Sequence, residues 1–143
     1  MNLSARHPIV ADLALAVTRI VIGIIFVAHG WQKVSTFGIA GTAEGFTQMG
    51  VPLPTASAWF TAIVELGGGA ALILGILTPI AGALLLLNMV GALVLVHAGA
   101  GIFVTDGGWE LVAALGSAAL ALTALGAGRF SLDSAIFARR RRE

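Results

Sequence analysis

Four long apolar stretches dominate this chain of 143 residues, at about Ala11–Trp31, Ala56–Leu77, Pro79–Ala98 and Trp109–Leu125. A helix rises ~1.5 Å per residue, so about 20 residues cross a hydrocarbon core ~30 Å thick. The first three stretches reach that length, and the fourth, at the short end, is expected to stand upright. Backbone groups in lipid find no water, so each stretch is expected to be helical. The runs are continuous rather than alternating, which argues against a barrel of strands. The fold class predicted is all-α, a four-helix transmembrane bundle.

Composition removes the alternatives. Apolar residues make up 58% of the chain and charged residues 10%, where a soluble domain carries roughly 25% charge. That leaves too little polar surface to coat a soluble enzyme, and too much Leu, Ala, Val and Ile for a disordered chain. Cysteine is absent, so this chain makes no disulfides and offers no thiolate ligands.

Loop lengths set the topology. Only Thr78 separates the second and third stretches, with Pro79 opening the next helix, so these two are antiparallel neighbours. Gly99–Gly108 joins the third and fourth, turning at Asp106-Gly107-Gly108. Gln32–Thr55 joins the first two, and in it Ile39, Ala43, Phe46 and Met49 recur at helical spacing until Gly50, Pro52 and Pro54 stop the pattern. This predicts a short amphipathic helix in the interface, or else a loop packed on the bundle; either would lid a site beneath it. Gly67, Ala71 and Gly75, and Ala113, Ser117 and Ala121, form small-residue stripes where helices are expected to touch.

Charge orients the bundle. Four spans put both termini on one side, with Arg6, Arg129 and Arg139 to Arg142, whereas the opposite loops hold only Lys33. The positive-inside rule places both termini of this multi-pass chain in the cytoplasm. Trp31, Trp59 and Trp109 then fall at the outer helix ends, as an interfacial belt requires. Residues 1–133 are expected to form the membrane domain and 134–143 a basic cytoplasmic tail. The first stretch is too long for a cleaved signal peptide, and Arg19 interrupts it.

The polar residues inside these spans point to function. An ionisable side chain at bilayer depth costs ~2.5–3.5 kcal/mol on insertion scales, so it tends to face the bundle interior beside a partner. Arg19, His29, Glu65, His97 and Glu110 qualify, with Asn88 a milder sixth, and Lys33 shares a helix face with His29. Each also has a plain structural role open to it. Arg19 either pairs with Glu65 or reaches the inner interface; His29, Lys33 and His97 lie within reach of headgroups; Glu110 complements a helix dipole. Arg19 falls in the inner half of its stretch, whereas His29, Lys33, Glu65, His97 and Glu110 are expected to converge in the outer half, in a site for protons, an anionic or quinone-like headgroup, or a metal. Glu-x-x-His pairs of a di-iron bundle are missing from the sequence. A haem between His29 and His97 is a remote alternative, and zinc would need Glu65 and Glu110 to complete its ligands by chance geometry. Gly23–His29 and Gly91–His97 repeat one spacing at the outer ends of the first and third spans, a hint of duplication.

At these residues the chain resembles the DoxX family of small bacterial membrane proteins. The matching stretches are Arg19 with Gly23-Ile24-Ile25-Phe26-Val27-Ala28-His29-Gly30 and Lys33; Gly41-Thr42-Ala43 with Gly50-Val51-Pro52; and Glu65-Leu66-Gly67-Gly68 with Leu74-Gly75. They continue with His97, Gly107-Gly108-Trp109-Glu110 and Gly126-Ala127-Gly128-Arg129-Phe130-Ser131-Leu132-Asp133, and run from about residue 13 to 133. The resemblance implies a four-helix membrane bundle, set in the bacterial inner membrane. It also implies a membrane subunit of a quinone-linked redox system, since the family name derives from a thiosulfate:quinone oxidoreductase subunit. Any sulfur chemistry would then sit on a partner.

The expected function is therefore quinone and proton handling. Glu65 and His97 exchange protons with a bound headgroup, Arg19 holds Glu65 ionised, His29 and Lys33 fix the headgroup, and Glu110 closes the polar set. The first alternative is a structural or anchoring subunit whose Arg tail docks anionic lipid or a soluble protein partner. The second is a small-solute transporter, which would need a homo-oligomer. Quinone is the expected cofactor. Nucleic acid is not an expected partner, because four Arg after a last span read as a topology signal.

Overall fold

A computed structural model describes residues 8–140, with side chains for 9–136. Helix α1 (Pro8–Trp31) runs on through a wider turn, Gln32–Thr36, to a short helix α2 (Gly38–Gln48). Helices α3 (Pro54–Leu74) and α4 (Thr78–Ala92) follow; α4 also ends in a wide turn, Leu93–His97. A single tight turn, Val104–Asp106, precedes α5 (Glu110–Leu125), and α6 (Leu132–Arg140) closes the order. Among the described residues there is no strand.

Three helical segments are long and apolar enough to cross a membrane: Ile9–Thr36, Pro54–Leu74 and Thr78–His97. The fourth, Glu110–Leu125, has 16 residues, about 24 Å at ~1.5 Å per residue. The architecture is a four-helix bundle in which α1 packs on α3, α3 on α4 and α4 on α5, with a slighter contact of α1 with α5. Phe26, Leu72, Leu85 and Leu122 are fully buried at its centre. The outward faces are apolar too, as at Val17, Ile24, Ile63, Leu84 and Leu120. Such an inside-out surface suits acyl chains and not water.

Backbones approach most closely where α1 crosses α3. A Cβ added at Gly23 would lie 2.6 Å from the Gly69 carbonyl oxygen, and one at Gly69 2.7 Å from that of Gly23. Between α4 and α5, a Cβ at Gly82 would meet Thr123 Oγ1 at 2.6 Å. The stripes expected from the sequence are partly displaced. Gly67 faces open space, and Ser117 and Ala121 are exposed.

The turn between α3 and α4 spans Gly75–Leu77, so α3 ends three residues earlier than the hydropathy suggests. Gly75, at φ +68°, stops it: the Ile76 N–H donates to Ala71 O at 3.0 Å and the Gly75 N–H to Leu72 O at 3.2 Å. Leu77 then takes a left-handed φ of 49°, strained for a side chain of its shape. Asp133 holds it there. Its Oδ1 accepts the Leu77 N–H at 3.1 Å and its Oδ2 the Thr78 N–H at 3.3 Å, a carboxylate on the N-terminus of α4 supplied from α6. The expectations for Arg6 and for the Arg139–Arg142 cluster lie outside the described residues and side chains.

Candidate functional site

The end of the bundle opposite the termini holds a cavity of about 490 Å³. Helix α2 lies over it. Ala43 of α2 is buried, and Phe46 and Met49 line the cavity. The helical spacing read in this connection is thus a real helix, and it lids the site.

Two wide turns bring polar groups to the cavity. In the first, the Phe37 N–H donates to Gln32 O, five residues back, at 3.0 Å, and this turn carries Lys33. In the second, Leu93–His97, the last residue is His97. Inserting a residue into a helix in this way re-aims the side chains that follow, and such bulges recur at functional sites. The two turns lie at the same end of the bundle, the first starting three residues after the Gly23–His29 stretch and the second within Gly91–His97.

Glu65 is the centre of the polar set. Its residue is only 4% exposed, and both carboxylate oxygens are engaged. Lys33 Nζ donates to Oε2 at 2.6 Å and Asn88 Nδ2 to Oε1 at 3.0 Å. A buried carboxylate is tolerable only when paired and hydrogen-bonded in this way. One N–H of the Lys33 ammonium serves Glu65, and a donor group with three leaves others for a ligand. His29 also lines the cavity, as does His97. His97 Nδ1 lies 2.6 Å from Gly107 O; a carbonyl only accepts, so Nδ1 carries the proton of this contact and Nε2 is the other ring nitrogen. Among the described residues, no three His, Asp or Glu side chains are grouped as metal ligands.

Lys33, Glu65, His29 and His97 therefore share one cavity, together with Asn88, which the sequence marks only weakly. Arg19 and Glu110 do not line it. Arg19 does not pair with Glu65. Glu65 lies opposite Gly30, eleven residues beyond Arg19 along α1, a separation of ~16 Å. Arg19, 3% exposed, instead serves the opposite end of the bundle. Its Nη1 donates to Leu72 O at 2.9 Å and Ile73 O at 2.7 Å, and its Nη2 to Phe130 O. It is a cation on the last carbonyls of α3, where the helix dipole and the unpaired acceptors both favour it. Glu110 Oε1 accepts the Val104 N–H at 2.8 Å and so fixes the turn before α5.

A cavity with apolar walls and a few convergent polar groups, closed by a short helix and set in a membrane bundle, defines a multi-pass membrane protein with a ligand-sized pocket. The family model that matches is DoxX, over residues 14–98. A Bacillus subtilis protein named "Putative oxidoreductase CatD" is 33% identical over 126 residues, covering 88% of this chain and 89% of that one. The "Uncharacterized membrane protein Rv3486" of Mycobacterium tuberculosis is 33% identical over 125 residues, 80% of this chain and 76% of its own. The "Inner membrane protein YqjF" of Escherichia coli is 39% identical over 70 residues, 47% and 48% of the two chains. No solved structure matches. The chain belongs to the DoxX family.

Proposed function

We propose that this chain is an integral membrane subunit of a quinone-linked redox system, and that its cavity handles a quinone headgroup and the headgroup's protons. One observation carries the proposal: a buried Glu65, clamped by Lys33 and Asn88, faces a cavity that His29 and His97 also line. The volume falls within the range of small-molecule pockets, roughly 300–1,000 Å³. The name of the Bacillus subtilis relative, with its reference to an oxidoreductase, supports the redox setting.

The residues divide the work by their chemistry. Lys33 and His29 donate hydrogen bonds to headgroup oxygens. Glu65 and Nε2 of His97 take up or release a proton. Reduction of a quinone to a quinol also consumes electrons, which a partner redox protein supplies. Positive-inside charge and the Escherichia coli relative together favour the bacterial inner membrane, with both termini cytoplasmic and the cavity toward the outer face.

The test is binding of a quinone analogue by detergent-purified protein. Glu65→Gln and His97→Ala are each expected to weaken binding by about tenfold, equivalent to ~1.4 kcal/mol. Equal binding by all three proteins removes the site. An anchoring role, in which the polar groups only bolt helices together, instead predicts that folded protein is lost in step with binding.

A further inference from the structure

The polar and apolar parts of the cavity are segregated. Lys33, Glu65 and Asn88 meet at one place, joining α1, α3 and α4. Away from them, the wall between α3 and α4 is mostly apolar and open to the outside; Ser57 and Thr61, which also line it, spend their hydroxyl protons on the carbonyls of Pro52 and Ala58. Phe60, Leu87 and Leu95 each line the cavity, yet they are 43%, 59% and 46% exposed.

The geometry of α3 and α4 explains the opening. The two helices touch where a Cβ at Gly68 would meet Leu85 at 3.0 Å, and again at the Glu65–Asn88 bond. Toward the lidded end, Phe60 on one helix and Leu87, Gly91 and Leu95 on the other border the cavity instead. Leu87 and Gly91 lie four apart on one ridge of α4, and Leu95 follows in the wide turn that ends the helix. Gly91 breaks that ridge: a Cβ added there meets nothing within 4 Å. The gap is lateral, and Gly91 lies thirteen residues or ~20 Å along α4 from Thr78, short of the ~30 Å that a hydrocarbon core spans.

We infer that the ligand is a lipid-soluble molecule with a long apolar tail, which reaches the cavity from within the bilayer and leaves its tail in the Gly91 gap between α3 and α4. This rests on the headgroup reading of the same cavity. A polar floor with an apolar slot running sideways into lipid is complementary to an amphipathic molecule with a compact head. A small polar solute arriving from water at the rim between Met49 and Val104 would have no use for the slot.

The experiment uses the full chain in lipid nanodiscs with two probes of one headgroup: a menaquinone with its isoprenoid tail, and menadione, which lacks the tail. Gly91→Leu fills the gap with a good helix former, and Gly91→Ala is the conservative control. The wild-type protein is expected to bind both probes, the tailed one more tightly. Gly91→Leu is expected to weaken the tailed probe by about tenfold or more while changing menadione by no more than about threefold, with Gly91→Ala near wild type. Equal affinity of wild type for the two probes, an unaffected tailed probe in Gly91→Leu, or equal loss of both probes there overturns the lateral slot. Binding of neither probe by wild type overturns the headgroup reading itself, a result distinct from the other three.

Discussion

Lys33 Nζ lies 2.6 Å from Glu65 Oε2, and this contact ties the outrun of α1 to the middle of α3. The lysine side chain is 18% exposed and the glutamate 5%, so one partner is anchored in the bundle and the other borders the cavity. The charge that neutralises Glu65 is thus the one a bound headgroup would also touch. On the proposed reading, binding and ion pairing are coupled at a single ammonium.

Removing one partner of this pair should be worse than removing both. Lys33→Met leaves a buried carboxylate with only Asn88, and Glu65→Gln leaves a half-buried ammonium without its counter-charge. Breaking buried pairs one-sidedly typically costs about 3–5 kcal/mol, whereas replacing both charges is often neutral. The double variant Lys33→Met with Glu65→Gln is expected to recover most of that loss. Unfolding free energies in mixed micelles measure the cycle, and additive single losses would show that the pair contributes little.

Arg19 is predicted to matter for folding and not for the ligand. Arg19→Lys keeps the charge but loses the fork that reaches Leu72, Ile73 and Phe130 together. Hydrogen bonds to charged groups contribute about 1.5–3 kcal/mol each, so a loss of at least about 2 kcal/mol is expected. The folded fraction should bind a quinone analogue as wild type does. Weaker binding by fully folded Arg19→Lys would place the arginine back in the site.

The Gly67-Gly68-Gly69 run shows how far a sequence can be read. Three consecutive glycines mark a close helix approach without saying which one makes it. In the fold each faces a different way: Gly67 to open space, Gly68 to Leu85 of α4, Gly69 to Gly23 of α1. Hydropathy placed the four helices, and convergence of His29, Lys33, Glu65 and His97 followed from their shared depth. Arg19 was harder, because the carbonyls it serves are backbone atoms at a helix end, invisible in residue types. Gly75 was the available signal, since a glycine one turn before Thr78-Pro79 marks a helix stop. The two wide turns left no signature in composition or periodicity.

The same run yields a paired prediction. Gly69→Ala forces a Cβ to 2.7 Å from a backbone oxygen that has nowhere to move, and overpacking of this kind costs about 1–3 kcal/mol. Gly67→Ala adds a methyl in open space and removes a helix-weakening glycine, so it should stabilise by up to about 1 kcal/mol. Thermal midpoints of the two variants in one detergent decide the matter. Matching effects of either sign would contradict the crossing described for α1 and α3.

The lid gives the last prediction. Buried Thr42 of α2 places its hydroxyl 3.1 Å from Lys33 O and 3.0 Å from Gly38 O, so one proton is shared between the lid's own turn and the turn that carries Lys33. Thr42→Val keeps the shape and deletes that proton, leaving the Lys33 carbonyl short of a donor. An unsatisfied buried acceptor costs about 1–3 kcal/mol, and a loss of one to two corresponds to a factor of roughly 5–30 in a local opening equilibrium. Amide hydrogen exchange across Gly38–Gln48 is therefore expected to quicken by about that factor, with the middle of α3 unchanged. A bound quinone analogue should also dissociate faster, because the lid and the ammonium proposed to hold the headgroup loosen together. Unaltered exchange in α2 would mean that Ala43 and Phe46 alone keep the lid shut, and that Thr42 does not couple it to Lys33.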